Sequence, residues 1–302
     1  MAVDKIFYND ASQAKLGWEP SWFGDVKDSE DLLLKVKRFQ LAHHLSPDGM
    51  VGPMTFRRIF TEREAAIDDY KPVNHCQKTN NYIVHNSKFT PIDWPKVVLW
   101  SDPGGLQCKP GTYALYNEGE RKPKFFVNHW DVCLSSSACA RVIAKRGISI
   151  HFCIDNDGTI YQLLDTQHVA WQAGGKGLNI KSIGVEISNA YYTKYNSWYA
   201  KNNFGYRPVI DDAKVHGKTL GKHLGFYDVQ LEALKALWKA VHDATGIPFK
   251  CPLDSNGNTS TVFDRQASKG QFKGFVSHYH LTRRKIDCAG LDIKSLLDSM
   301  KC

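Results

Sequence analysis

Hydrophobic positions follow two regimes along this 302-residue chain: helical spacing dominates its first sixty or so residues, and short apolar runs alternate with helical stretches beyond residue 82. In DSEDLLLKVKRFQLAHHL, Leu32, Val36 and Phe39 recur at the three-to-four-residue interval of one helix face, behind the cap candidates Asp28 and Ser29. SPDGMVGPMTFRRIF follows, with a turn at Asp48 and Gly49. Gly52 and Pro53 then lead into a second helix that would bury Phe56 and Ile59 or Phe60. From about Glu62 the pattern weakens into charges, Pro72 and polar residues, which predicts a helical unit over 1–68, a linker over 69–81 and a larger unit over 82–302.

The larger unit reads as strands interleaved with helices. KFFVNHW (124–130) and SIGVEIS (182–188) have the composition of buried strands, and ISIHFCID and TIYQLL form two more around a turn at Asn156, Asp157 and Gly158. SSSACARVIAKRG is a helix capped by serine and stopped at Gly147. DVQLEALKALWKAVHDATGIP is a longer one, capped at Asp228, striped by Leu231, Leu234, Trp238 and Val241, and ended by Gly246 and Pro248. The expected class is α/β, a mixed central sheet flanked by helices, with a small all-α unit before it. Segments 191–227 and 250–272 fit this plan poorly, and loops of such length are expected beside a substrate groove.

Charge changes the picture in one respect. The net charge is +8, but residues 1–70 hold nine Lys and Arg against twelve Asp and Glu, a balance of −3 that leaves +11 on the rest. A basic larger unit suits an anionic polymer such as nucleic acid, membrane or cell wall. No basic helix with base-reading residues is present, which argues against nucleic acid. No run approaches the roughly 18 apolar residues of a membrane span, and MAVDKIFYND has no apolar leader region, so cytosolic synthesis without stable membrane insertion is expected. Eight irregularly spaced cysteines then read as buried thiols rather than a disulfide framework.

VKRFQ…LSPDGMVGPMTFRRI resembles the type 1 peptidoglycan-binding domain, whose pattern is a helix ending in FQ followed by DG-x-VG-P-x-T. The stretch from about Lys124 to Lys294, through FVNHW, ISIHFCID, AWQAG, SIGVEIS and GFVSHYHLTRRKIDCAGLD, resembles the type 2 N-acetylmuramoyl-L-alanine amidases, a family that includes peptidoglycan recognition proteins and T7-type lysozyme. The resemblance implies one catalytic zinc ion (Zn2+) held by His129, by His278 and by a third residue about ten positions further on. Aligned through K-x-D that residue is Asp287; aligned through C-x-x-L-D it is Cys288. Cys288 is preferred for its spacing, its small neighbours and the affinity of thiolate for zinc. Two imidazoles and one anionic ligand leave a tetrahedral position open for water, and no paired CxxC knuckle suggests a structural site.

The resemblance also implies Glu186 as general base and Lys285 as the cation that stabilises charge on the substrate carbonyl oxygen, although Lys285 stands three residues before Cys288 and the family's lysine two before its third ligand. Ile150 replaces the tyrosine of T7-type members and Gln172 a frequent histidine. His151 is expected as a cleft wall or core residue, and His280 as a rival of His278. The expected whole is a monomeric modular phage endolysin with peptidoglycan as its partner, held in the host cytoplasm until the membrane is breached. A bacterial autolysin or a non-cutting wall sensor is the alternative. A chain beginning near Val73 is expected to fold and to cleave small muropeptides unaided.

Overall fold

The computed structural model describes residues 3–67 and 80–300, so residues 69–79 of the expected linker, with Cys76, and the terminal Cys302 lie outside the described residues. Three helices open the chain: α1 (Lys5–Leu16), α2 (Ser29–Ala42) and α3 (Pro53–Ala65). Asp28 caps α2 by accepting from the Asp31 amide, and Pro53 takes the first position of α3, where no amide donor is needed. Glu62 to Ala65 continue α3 rather than open a linker.

The DG turn between α2 and α3 is locked from both sides. Gln40 accepts from the Gly49 amide at 2.9 Å and donates to Asp48 and to the Met50 carbonyl, while Asn9 donates to the Gly49 carbonyl and accepts from the Val51 amide. Gly49 adopts φ +81°, where a side chain would be strained, which explains the glycine of that motif.

The larger unit is built on a six-stranded mixed sheet of β1 (Val97–Leu99), β2 (Phe125–Trp130), β3 (Phe152–Ile154), β4 (Ile160–Gln162), β5 (Ser182–Ile187) and β6 (Gly274–Ser277). Its order is β6-β2-β5-β3-β4-β1, and every neighbouring pair is parallel except β3 with β4. Helix α4 (Ser136–Arg146), capped by Ser135 and ended by Gly147 at φ +72°, lies on one face, and α5 (Asp228–Thr245) covers the other.

Side-chain alternation along the strands divides the interior. Phe126, Trp130, Ile154, Ile183, Val185 and Ile187 join Leu234, Leu237, Trp238 and Val241 of α5 in one apolar cluster. Cys153 and Tyr161 face the other way and join Ala138, Val142 and Ile143 of α4 in a second. That second cluster also contains Leu16, Trp18, Leu32, Val36, Val51 and Phe56, so the helical unit and the larger unit share one core.

Polar contacts reinforce the junction: Thr61 donates to the Val132 carbonyl at 2.9 Å, Glu64 pairs with Arg141, and Glu62 pairs with Lys194 and accepts from the Tyr195 hydroxyl. Segment 191–227 forms a small aromatic cluster of its own, with Tyr195, Trp198 and Tyr199, and meets the helical unit through Tyr192, which donates to the His43 carbonyl. The six described cysteines are buried free thiols. No helix of the described residues is long and apolar enough to cross a membrane.

Candidate active site

Strand register brings the first two functional side chains together. His129 on β2 is paired with Glu186 on β5, and both lie on the alternation opposite Trp130 and Ile187, which places them on the α4 side of the sheet. His278 follows directly from β6, the strand on the other side of β2, and opens a single helical turn, His278–Leu281. Asp287 arrives from the loop that leaves this turn. His129 Nδ1 and His278 Nδ1 lie 3.1 and 3.0 Å from the same oxygen, Asp287 Oδ2, and the two imidazole rings meet edge to face at 4.5 Å. One donor atom from each of the three residues falls within 4.8 Å of the others, a spacing that could hold a metal ion.

All three residues and Glu186 line one cleft of about 680 Å³. Burial pushes His278 down to about 4, against the pull of Asp287. Burial opposes ionisation of Asp287, but His278 and the hydrogen bonds from both histidines outweigh it and hold the carboxyl well below its ordinary range. His129 is raised: burial works against its charge, and Asp287 and Glu186 more than compensate. Glu186 is raised by burial against the pull of His129 and Arg57. It is 7% exposed, and its Oε2 has no hydrogen-bond partner. A buried carboxylate oxygen left free in a cleft is costly unless it has a task.

Gln172 supports the histidine set. Its Oε1, which can only accept, lies 2.6 Å from His129 Nε2, while its amide nitrogen donates to Ser182 Oγ. Gln172 thus fixes a proton on Nε2, so that Nδ1, which faces Asp287, is the nitrogen that would bind a metal, the usual arrangement of a supported metal-binding histidine. Gly184 makes room for it, since a Cβ there would come within 2.8 Å of the Gln172 side chain.

The family model for N-acetylmuramoyl-L-alanine amidase (Amidase_2) matches residues 119–287, more than half of the chain. The chain belongs to this amidase family. Its fold is also similar to solved structures of low identity. These include a selenomethionine derivative of AmpD (16% identity, 68% of this chain and 93% of that one, TM-score 0.35) and a mutant endolysin from Bacillus subtilis (18%, 68% and 98%, 0.35). Drosophila PGRP-LB is a third (15%, 68% and 93%, 0.36). No curated protein sequence matches the chain.

Within this amidase-family chain Cys288, preferred from its spacing, stands apart from the two histidines, and Asp287 stands with them. Cys288 is fully buried on the α5 side, in the apolar cluster with Ala289, Leu291 and Ile293, and burial pushes its thiol well above the ordinary range. Asp287, one residue earlier, is the member that meets His129 and His278. Lys285 lines the cleft and stands two residues before Asp287, the spacing that the resemblance associates with the family's lysine.

His280 is fully occupied elsewhere, accepting from the Ser277 amide and facing the Ser260 carbonyl at 2.7 Å. His151 is a core residue, bonded to the Gly184 amide and the His168 carbonyl. Neither 191–227 nor 250–272 lines the cleft, although His216 of the first segment faces the carbonyl of the cleft residue Lys285 at 3.2 Å. Sequence reading missed three residues that do: Arg57, Arg146 and, as a partner of His129, Gln172.

Proposed function

We propose that this chain hydrolyses the amide bond between N-acetylmuramic acid and L-alanine in peptidoglycan, with zinc held by His129, His278 and Asp287. The observation that carries this reading is the convergence of two imidazole nitrogens and a carboxylate oxygen beside an unpaired Glu186 oxygen in one cleft. Two nitrogens and one oxygen, with the cleft on the open side, suit a catalytic zinc site. When bound there, zinc would supply Lewis acidity toward the amide carbonyl and toward water.

The chain's own residues carry the rest. Glu186, whose burial raises its proton affinity, takes the proton of the attacking water and delivers it to the L-alanine nitrogen as the carbon–nitrogen bond breaks. Lys285 offers its ammonium to the carbonyl oxygen as negative charge develops there. Gln172 keeps His129 in the tautomer that presents Nδ1. The helical unit, with its type 1 wall-binding pattern, holds the catalytic part against its polymer, and the whole acts as a phage endolysin in the host cytoplasm until the membrane is breached.

Mass spectrometry of sacculi digested with the zinc-loaded protein, with and without chelator, tests the activity. Stem peptides with a free L-alanine amine, lost with chelator and restored by zinc, are expected. Release of reducing sugars alone would make the chain a glycosidase, and binding without any release would make it a wall sensor.

A further inference from the structure

One wall of the cleft does not come from the amidase part of the chain. Arg57 stands on α3, outside residues 119–287, yet lines the same cleft as His129, Glu186, His278 and Asp287. It is 7% exposed, and its buried Nε has no hydrogen-bond partner. Arg146, in the last turn of α4, lines the cleft beside it, with Nε and Nη1 both buried and unpartnered.

Guanidinium groups offer five donors and no acceptor, and leaving buried donors such as Arg57 Nε, Arg146 Nε and Arg146 Nη1 without partners is costly. Burial and the charge of Arg57 together lower Arg146 to about 10. Glu186 is the acidic group that both arginines sense, but it keeps a bare oxygen, and Asp287 is engaged by the two histidines. A metal at the histidine set would add further positive charge. The cleft therefore has donors and charge left over for an anion from outside.

Arg57 is held in place rather than carried on a loose arm. On the same helix Phe56 sits in the shared core, Thr61 is bonded to Val132, and Arg58 stacks over Tyr192 at 4.7 Å.

We propose that Arg57 and Arg146 form a carboxylate-binding wall for the stem peptide of the substrate, so that the helical unit supplies a binding residue to the amidase cleft. This inference rests on the amidase reading, because the wall adjoins the histidine set and a carboxylate bound there must lie close to the scissile amide. In a muramoyl peptide the carboxylates nearest that bond belong to the acidic residue following L-alanine.

The test is equilibrium binding to the full-length protein, in chelator so that nothing is consumed, of N-acetylmuramoyl-L-alanyl-D-glutamate and of the same molecule with both carboxylates amidated. The acid is expected to bind about 10-fold more tightly, the scale of one charge-assisted hydrogen-bonded pair. Arg57→Gln and Arg146→Gln should each remove most of that preference while leaving the amide's affinity within about twofold, and Arg57→Lys should keep part of it.

Equal binding of acid and amide by the unaltered protein, or binding of neither, overturns the inference whether or not a variant folds. An Arg57→Gln protein weakened equally toward both ligands does so too. Cleavage of the same acid by the zinc-loaded protein is scored separately. A preference for the acid without cleavage would sink the amidase reading and leave the carboxylate wall standing.

Discussion

The two sides of the central sheet are built from the same strands and do different work. Toward α5 the strands present Phe126, Trp130, Ile183, Val185 and Ile187, an apolar face closed by Leu234, Leu237 and Trp238 and belonging wholly to the larger unit. Toward α4 the alternate positions of those strands present His129 and Glu186, and the cover there is shared with α3 of the helical unit. One residue of backbone separates the two regimes, as Asp287 and Cys288 demonstrate: the first meets the histidines and the second is buried in the α5-side core.

Substitutions at that pair are expected to separate the sides most sharply. Asp287→Asn should lose zinc by metal analysis and with it at least about 100-fold in activity. Cys288→Ser should keep its zinc and activity per folded molecule while losing about 1–3 kcal/mol of stability to a hydroxyl in an apolar site. Zinc retained by the first and lost by the second would reverse the assignment.

Glu186→Gln and Trp238→Ala make a second contrast across the sheet. The first should cut turnover by about 100-fold or more with thermal unfolding little changed. The second should cost about 3–5 kcal/mol in denaturant unfolding and leave the pH profile of turnover as it was. Near-normal turnover in Glu186→Gln would remove that residue from the mechanism.

The junction between the units should show a smaller, pH-dependent effect. Burial alone would raise Glu62, but hydrogen bonds from His43, Lys194 and Tyr195 bring it down to about 2. Its folded value lies below its ordinary 4.5, so its contribution is present above about pH 4.5 and is lost as pH falls toward 2. Thermal unfolding should place Glu62→Gln below the parent by about 2 °C at pH 6, with the gap closing through that window, since the group is partly exposed. A gap that stays constant from pH 6 to pH 2 would mean that the carboxylate's charge has no part in the junction.

Much of the sheet was legible because it rests on local rules. FFVNHW and SIGVEIS read as buried strands from composition, and the same period-two rule that buries Ile183, Val185 and Ile187 puts Glu186 on the opposite face. Helices α4 and α5 end at Gly147 and Gly246, both in the left-handed conformation that their sequences foretell. The choice between Asp287 and Cys288 was not legible, since adjacent residues on an irregular loop have equivalent spacing from His278 and only the path of the chain decides which one faces the cleft. Arg57 gave no signal either. It follows Phe56 in TFRRI as one more basic residue, and its burial depends on a surface more than seventy positions away, near Val132. Length alone did not say what the long segments do: 191–227 packs Tyr195, Trp198 and Tyr199 into a small cluster and reaches the helical unit through Tyr192.

The shared core around Phe56, Val36 and Val142 bears on how such a chain could be recombined. Exchanging the helical unit for another of the same motif, as one would exchange a cassette, would leave Val142 and Ile143 against a surface not shaped for them. It would also remove the guanidinium beside Glu186 unless the donor carried an arginine at the same turn of its third helix. Retaining residues 53–65 with the amidase part would keep the cleft arginine, but Leu16, Trp18, Leu32, Val36 and Val51 lie in the same core as Val142, so a seam before α3 also cuts through packed side chains.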